Sequence, residues 1–129
     1  MLGMHRSRIG VVLIDHPPTS YDSATAFWGA VAGVTPEPVA GEPYAGLGHL
    51  GGVVELAMQR LDDESPPRVH LDIETDDVAA EVRRLEGLGA TVTDRRDGYA
   101  ILADPGGLIF CVVPVQSVDT FERAATTWP

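Results

Sequence analysis

The feature that most narrows the folds open to this chain is that it contains itself twice. Tyr44-Ala45-Gly46-Leu47 through Gly51-Gly52-Val53-Val54 returns as Tyr99-Ala100-Ile101-Leu102 through Gly106-Gly107-Leu108-Ile109, at a constant offset along the chain. A fixed internal period means one supersecondary unit built twice, so both copies should carry the same element order. A helix-like stretch precedes each copy, at residues 23–33 and 76–89, and an apolar strand-like run precedes each of those.

The second copy shows the order plainly. Val69, Leu71 and Ile73 alternate with His70, Asp72 and Glu74, which is the period of a strand with one buried face. Thr75-Asp76-Asp77 offers a capping side chain and negative charge where a helix begins, Val78, Val82, Leu85 and Leu88 recur at helical spacing, and Gly89 is suited to end the helix. Strands are expected at 91–95, 99–103 and 108–113, the last two joined by the turn Asp104-Pro105-Gly106-Gly107. The order is βαβββ. The first copy reads the same way, with strands at 9–14, 38–40, 44–49 and 53–59 and a helix at 21–31.

The reading is therefore an α+β chain of one domain over 1–129: module one at about 8–61, module two at about 68–115, and a C-terminal helix at about 117–127. Val118, Phe121 and Ala125 share a face of that last helix, which is expected to cover an open sheet edge or pack on its own domain, the alternative being a dimer contact. Gly46-Leu47-Gly48-His49-Leu50-Gly51 satisfies a dinucleotide-binding spacing, but a strand-like run follows it where that motif must open a helix.

Composition excludes several classes. A net charge of −10 argues against nucleic acid, which needs clustered cations. All nine basic residues are Arg, so no side chain can form a lysine Schiff base. The single cysteine, Cys111, lies in the apolar run 108–113 and is expected to be an inert core thiol, in a reducing, cytoplasmic setting. The apolar run near the start is too short to target a membrane.

The tandem βαβββ order, the strand Arg68-Val69-His70-Leu71-Asp72-Ile73-Glu74, Ala26-Phe27-Trp28-Gly29, Leu56-Ala57-Met58-Gln59-Arg60 and Ala103-Asp104-Pro105-Gly106-Gly107 together resemble the vicinal oxygen chelate superfamily of glyoxalases, bleomycin-resistance proteins and dioxygenases, in particular its compact glyoxalase-like domains. The resemblance implies two modules whose curved mixed sheets enclose a cleft, often with a divalent metal held by the first and last strands of each module. It implies His70 as a ligand or catalytic group and Glu55 as its companion, with Gln59 a rival on the same strand face. Gly10 occupies the first-strand ligand place, and Cys111 or an apolar neighbour the last.

With that set incomplete, the cofactor is expected to be none or a divalent metal ion on His70 and Glu55. The resemblance then points to a domain that binds a small organic molecule between its modules. His70 and Glu55 would serve as catalytic or polar contacts, with Gln59, Asp72, Tyr44 and Tyr99 around the ligand. The alternatives are a metal-dependent lyase, isomerase or dioxygenase, and a drug-sequestering protein of the bleomycin-resistance kind, whose cationic ligands an acidic surface would concentrate. The expected partner besides the small molecule is a second copy of the chain, in a homodimer.

Overall fold

The structure is a computed structural model and describes residues 4–129. Its elements run β1 (His5–His16), α1 (Pro18–Ala32), β2 (Glu37–Pro38), β3 (Tyr44–Leu50), β4 (Val54–Arg60), β5 (Arg68–Thr75), α2 (Val78–Gly87), β6 (Thr91–Arg96), β7 (Tyr99–Ala103), β8 (Ile109–Pro114), α3 (Val118–Ala124) and β9 (Thr126–Trp128). This is the doubled βαβββ order, followed by a helix and a short strand. Among the described residues no helix is long and apolar enough to cross a membrane.

Two compact units make up the chain: Val11–His70, and the residues up to Gly10 together with Leu71–Pro129. The divisions fall inside β1 and β5, so each of those strands begins in one unit and ends in the other.

In the Val11–His70 unit, β4 pairs parallel to β1 and antiparallel to β3, which in turn carries β2. Pro18 opens α1 at a first-turn position where the missing N–H costs nothing, and Gly33 closes it in the left-handed conformation, φ 71°. Strand alternation sends Ala45, Leu47, Met58, Ile14 and Leu56 to one face, against Tyr21, Ala24 and Trp28 of α1. Val11, Leu13 and Ala57 form a separate buried cluster with Tyr44 packed on it. The Gly-rich stretch at 46–52 is hairpin, ending β3 and turning into β4, so no helix offers its N-terminus to a pyrophosphate there.

In the other unit β8 pairs parallel to β5 and antiparallel to β7, and β7 pairs with β6. Asp77 caps α2, its carboxylate accepting from the Ala80 N–H at 3.0 Å. Val78, Val82 and Leu85 of α2 pack on Ala100, Leu102, Val112 and Ile73. β1 starts at His5, four residues earlier than expected, because β9 pairs antiparallel with His5–Ser7. The tail thus packs on its own unit, with β9 pairing along the start of β1 and α3 burying Phe121 while Val118 stays exposed.

Two buried ionic groups tie this unit together. Glu81 has no exposed side-chain surface; it accepts from Arg84 Nε at 2.8 Å and lies 2.7 Å from His5 Nε2. Burial alone would push the Glu81 carboxyl up, but hydrogen bonds from Arg84, His5 and Ser7 together hold it below the usual carboxylate range. The Trp128 indole N–H donates to Ser7 Oγ at 2.8 Å, and the Arg84 guanidinium sits 3.8 Å over the Trp128 ring. Glu74 is equally buried and accepts from Arg8 Nε at 2.7 Å and from the Gln116 backbone N–H at 2.8 Å. Arg8 also donates to Thr120 Oγ1 at 3.1 Å.

Candidate functional site

In the Val11–His70 unit the register of β3, β4 and β1 places Tyr44 opposite Gln59 and Gln59 opposite Asp15. All three therefore share the sheet face that α1 does not cover. Gln59 Nε2 donates to the Tyr44 hydroxyl at 3.3 Å. Asp15 is wholly buried, and its Oδ2 lies 2.6 Å from His70 Nδ1 and 3.2 Å from Arg68 Nε. Its other oxygen, Oδ1, is buried without a hydrogen-bond partner.

A carboxylate oxygen accepts, so Nδ1 of His70 donates to Asp15 Oδ2. The side chain of His70 is thereby fixed in ring orientation and tautomer by a charge that Arg68, about half exposed, screens only partly. Such an imidazole is prepared to bind an ion, accept a proton or receive a ligand's hydrogen bond.

Glu55 sits on the same uncovered face but is not brought to His70. It is paired with Val11, four residues along β4 from Gln59, which puts it about 13 Å along the strands from the level of Asp15. The buried Leu13 and Ala57 lie between. Glu55 instead faces His49 across the hairpin and lines a depression of ≈ 300 Å³ with Glu37, Thr35, Val34, Gly46 and Gly48. His16 is engaged locally, its Nδ1 lying 2.8 Å from Ser20 Oγ.

In the second copy, Asp72 pairs with Cys111 across β5 and β8, the counterpart of Val11 with Glu55 across β1 and β4. The apolar run containing Cys111 divides by alternation: Phe110 and Val112 pack toward α2, and Cys111, half-buried, points to the other face. This departs from the expected inert core position. His70 lies two residues before Asp72 on β5. Tyr99 is half-buried at the start of β7, again on the face away from α2.

Sequence reasoning missed Asp15 and the reach of Cys111. Asp15 was legible in outline: it continues the alternation Val11, Leu13, Asp15 at a strand end, a carboxylate where an apolar residue is due.

The full four-ligand metal set of the superfamily does not fit this chain. Gly10 offers no side chain, and a Cβ built on it would lie 2.6 Å from the Glu74 side chain, which fills that space.

A family model described as a glyoxalase-like domain matches residues 12–113. The chain belongs to this glyoxalase-like family, within the vicinal oxygen chelate superfamily. Solved structures share the fold at low identity. The NAD-dependent benzaldehyde dehydrogenase structure from Legionella pneumophila is 10% identical at a TM-score of 0.58, with 81% of this chain and 99% of that one covered. The Mn(II)-bound glyoxalase from Novosphingobium aromaticivorans is 21% identical at 0.55, over 84% of this chain and 40% of that one. A Streptomyces coelicolor methylmalonyl-CoA epimerase in complex with 2-nitronate-propionyl-CoA is 16% identical at 0.53, over 85% and 95%. No curated protein matches the sequence.

Proposed function

We propose that this glyoxalase-like domain binds a small organic molecule beside His70, with Gln59 and Tyr44 as neighbouring polar contacts. The observation that carries the reading is the 2.6 Å contact between His70 Nδ1 and a wholly buried Asp15. Burying a carboxylate costs several kcal/mol on the order of its desolvation. Such a group spent on holding one imidazole is best accounted for by a task of that ring. That task is to orient a ligand oxygen or to move a proton to and from it.

Glu55, about 13 Å away along the strands, enters only as a contact for a second polar end of a longer ligand. The experiment is a thermal-shift and calorimetric panel of 2-oxo acids, hydroxy acids, acyl thioesters and cationic glycopeptides. A binder whose affinity falls at least tenfold in His70→Gln and not in Glu55→Gln supports the reading. A binder indifferent to His70 and Gln59 substitution overturns it, and a response to glycopeptides alone would favour drug sequestration.

A second reading is a divalent-metal-dependent lyase, isomerase or dioxygenase, for which Asp72 and Cys111, register partners on β5 and β8, offer a carboxylate and a thiol. When bound, the ion would polarise oxygens of the substrate. Uptake of one ion per chain by the chelator-stripped protein is its test. The same reading of the family carries a homodimer in the cytoplasm; a monomer in size-exclusion light scattering removes the dimer.

A further inference from the structure

We infer that the molecule bound beside His70 carries a carboxylate, and that Arg68 is the residue that selects it. The inference rests on the binding reading above and adds to it the charge of the ligand and the group that holds that charge.

Arg68 lies two residues before His70 on β5, so strand alternation sends both side chains to one face, and both meet the same oxygen of Asp15. Arg68 donates to that oxygen through Nε, at 3.2 Å. Asp15 Oδ1, which a two-pronged pair would engage, takes no hydrogen bond. Most N–H donors of a guanidinium sit on its terminal nitrogens, and those of Arg68 meet no acceptor among the described residues. Asp63 is near enough to feel the Arg68 charge, but it accepts from the Ser65 backbone N–H at 2.9 Å.

Other arginines spend their forks inside the fold. Arg84 grips Glu81 through Nε and a terminal nitrogen, and Arg6 uses Nε and both terminal nitrogens on Asp76 and Glu122. Arg68 is anchored at its base and about half exposed, which leaves the end of a partly ordered side chain for another acceptor.

Charge decides which anion. The Arg68 cation already stands against the Asp15 carboxylate, in a chain of net charge −10. A monoanion suits what is left, whereas the second charge of a phosphate monoester lacks a second fixed cation in this group. The planar fork also matches the paired oxygens of a carboxylate. Gln59 and Tyr44 follow Asp15 on the next two strands, about 5 and 10 Å across the sheet, so an acid several carbons long with a polar far end spans the row.

The test titrates the whole chain with 6-hydroxyhexanoate, 6-hydroxyhexanamide and 6-hydroxyhexyl phosphate, and follows the arginine Nε–H resonances by NMR. The resonance absent from Arg68→Gln identifies Arg68. The acid should shift it, the amide should leave it in place, and the phosphate should bind more weakly than the acid, a comparison that depends on no variant folding. Arg68→Gln should weaken the acid about 10- to 100-fold, and Arg68→Lys, which keeps the charge without the fork, should recover part of the loss. No shift by the acid, equal shifts by acid and amide, tighter binding of the phosphate, or a His70-dependent binder that Arg68→Gln leaves unchanged overturns the inference and leaves the binding reading standing. Acid binding that is indifferent to both His70→Gln and Gln59→Ala overturns both.

Discussion

Nδ1 of His70 lies 2.6 Å from Oδ2 of Asp15, and the Asp15 side chain has no solvent-exposed surface. Arg68, the other group on that oxygen, is 48% exposed and therefore screened. His70 is the principal compensation for a buried charge. Replacing His70 with Ala should cost about 3 kcal/mol or more. In Asp15→Asn the same removal should cost much less, giving a coupling of about 1–3 kcal/mol in a double-mutant cycle read by urea unfolding. Strictly additive single effects would show that the contact carries no energy.

Gly10 lies under Glu74, with 2.6 Å between a built Cβ and the glutamate's side-chain atoms. A flexible surface glutamate would move aside, but this one is held by Arg8 and by the Gln116 N–H. Gly10→Ala is expected to lose about 1–3 kcal/mol by overpacking. Introduced beside Glu74→Gln, which weakens the tether, it should lose less. Chemical denaturation of the three variants checks the order.

Glu81 titrates below the usual carboxylate range because Arg84, His5 and Ser7 together outweigh its burial. A carboxyl depressed in the folded state contributes stability that is fully present above its ordinary value of 4.5 and lost as pH falls through the lower folded value. The urea midpoint of the protein should therefore fall steeply in acid below about pH 4.5. Glu81→Gln should start lower and show a shallower acid decline. A slope unchanged by the substitution would move the acid sensitivity to another group.

Trp128 joins β9 to the rest of its unit through the Ser7 hydroxyl and the Arg84 guanidinium. Trp128→Phe keeps the ring under the cation and loses the hydrogen bond, about 1 kcal/mol. Trp128→Ala loses both and should cost about 2–3 kcal/mol. It should also raise amide exchange at His5–Ser7, whose strand edge β9 covers. Exchange there no faster than in the unsubstituted protein would mean that β9 pairs without its anchor.

How much of this was legible depended on whether the signal was local. β5 announced itself because Val69, Leu71 and Ile73 alternate with polar residues over one short stretch, and β7 was read to its exact ends, Tyr99–Ala103. The start of β1 and the existence of β9 were not legible, since each is a strand only through pairing with the other across more than a hundred residues. His70 was singled out from its strand and its setting. Its partner Asp15 was not, because nothing at the end of β1 says which distant side chain meets it. Cys111 was assigned to the core by its neighbours, yet alternation turns every second residue of an apolar run away from the helix. Glu55 was placed on the right strand and at the wrong distance from His70, since the spacing of the two depends on the register of β4 against β1.

The glutamate seated over Gly10 also sets terms for anyone wishing to rebuild the missing ligand. A histidine introduced there has nowhere to go while Glu74 stays, and evicting Glu74 strands the cation of Arg8 inside the protein. Regaining that donor is thus a concerted exchange of at least three side chains, a step that single substitutions must cross through a less stable intermediate.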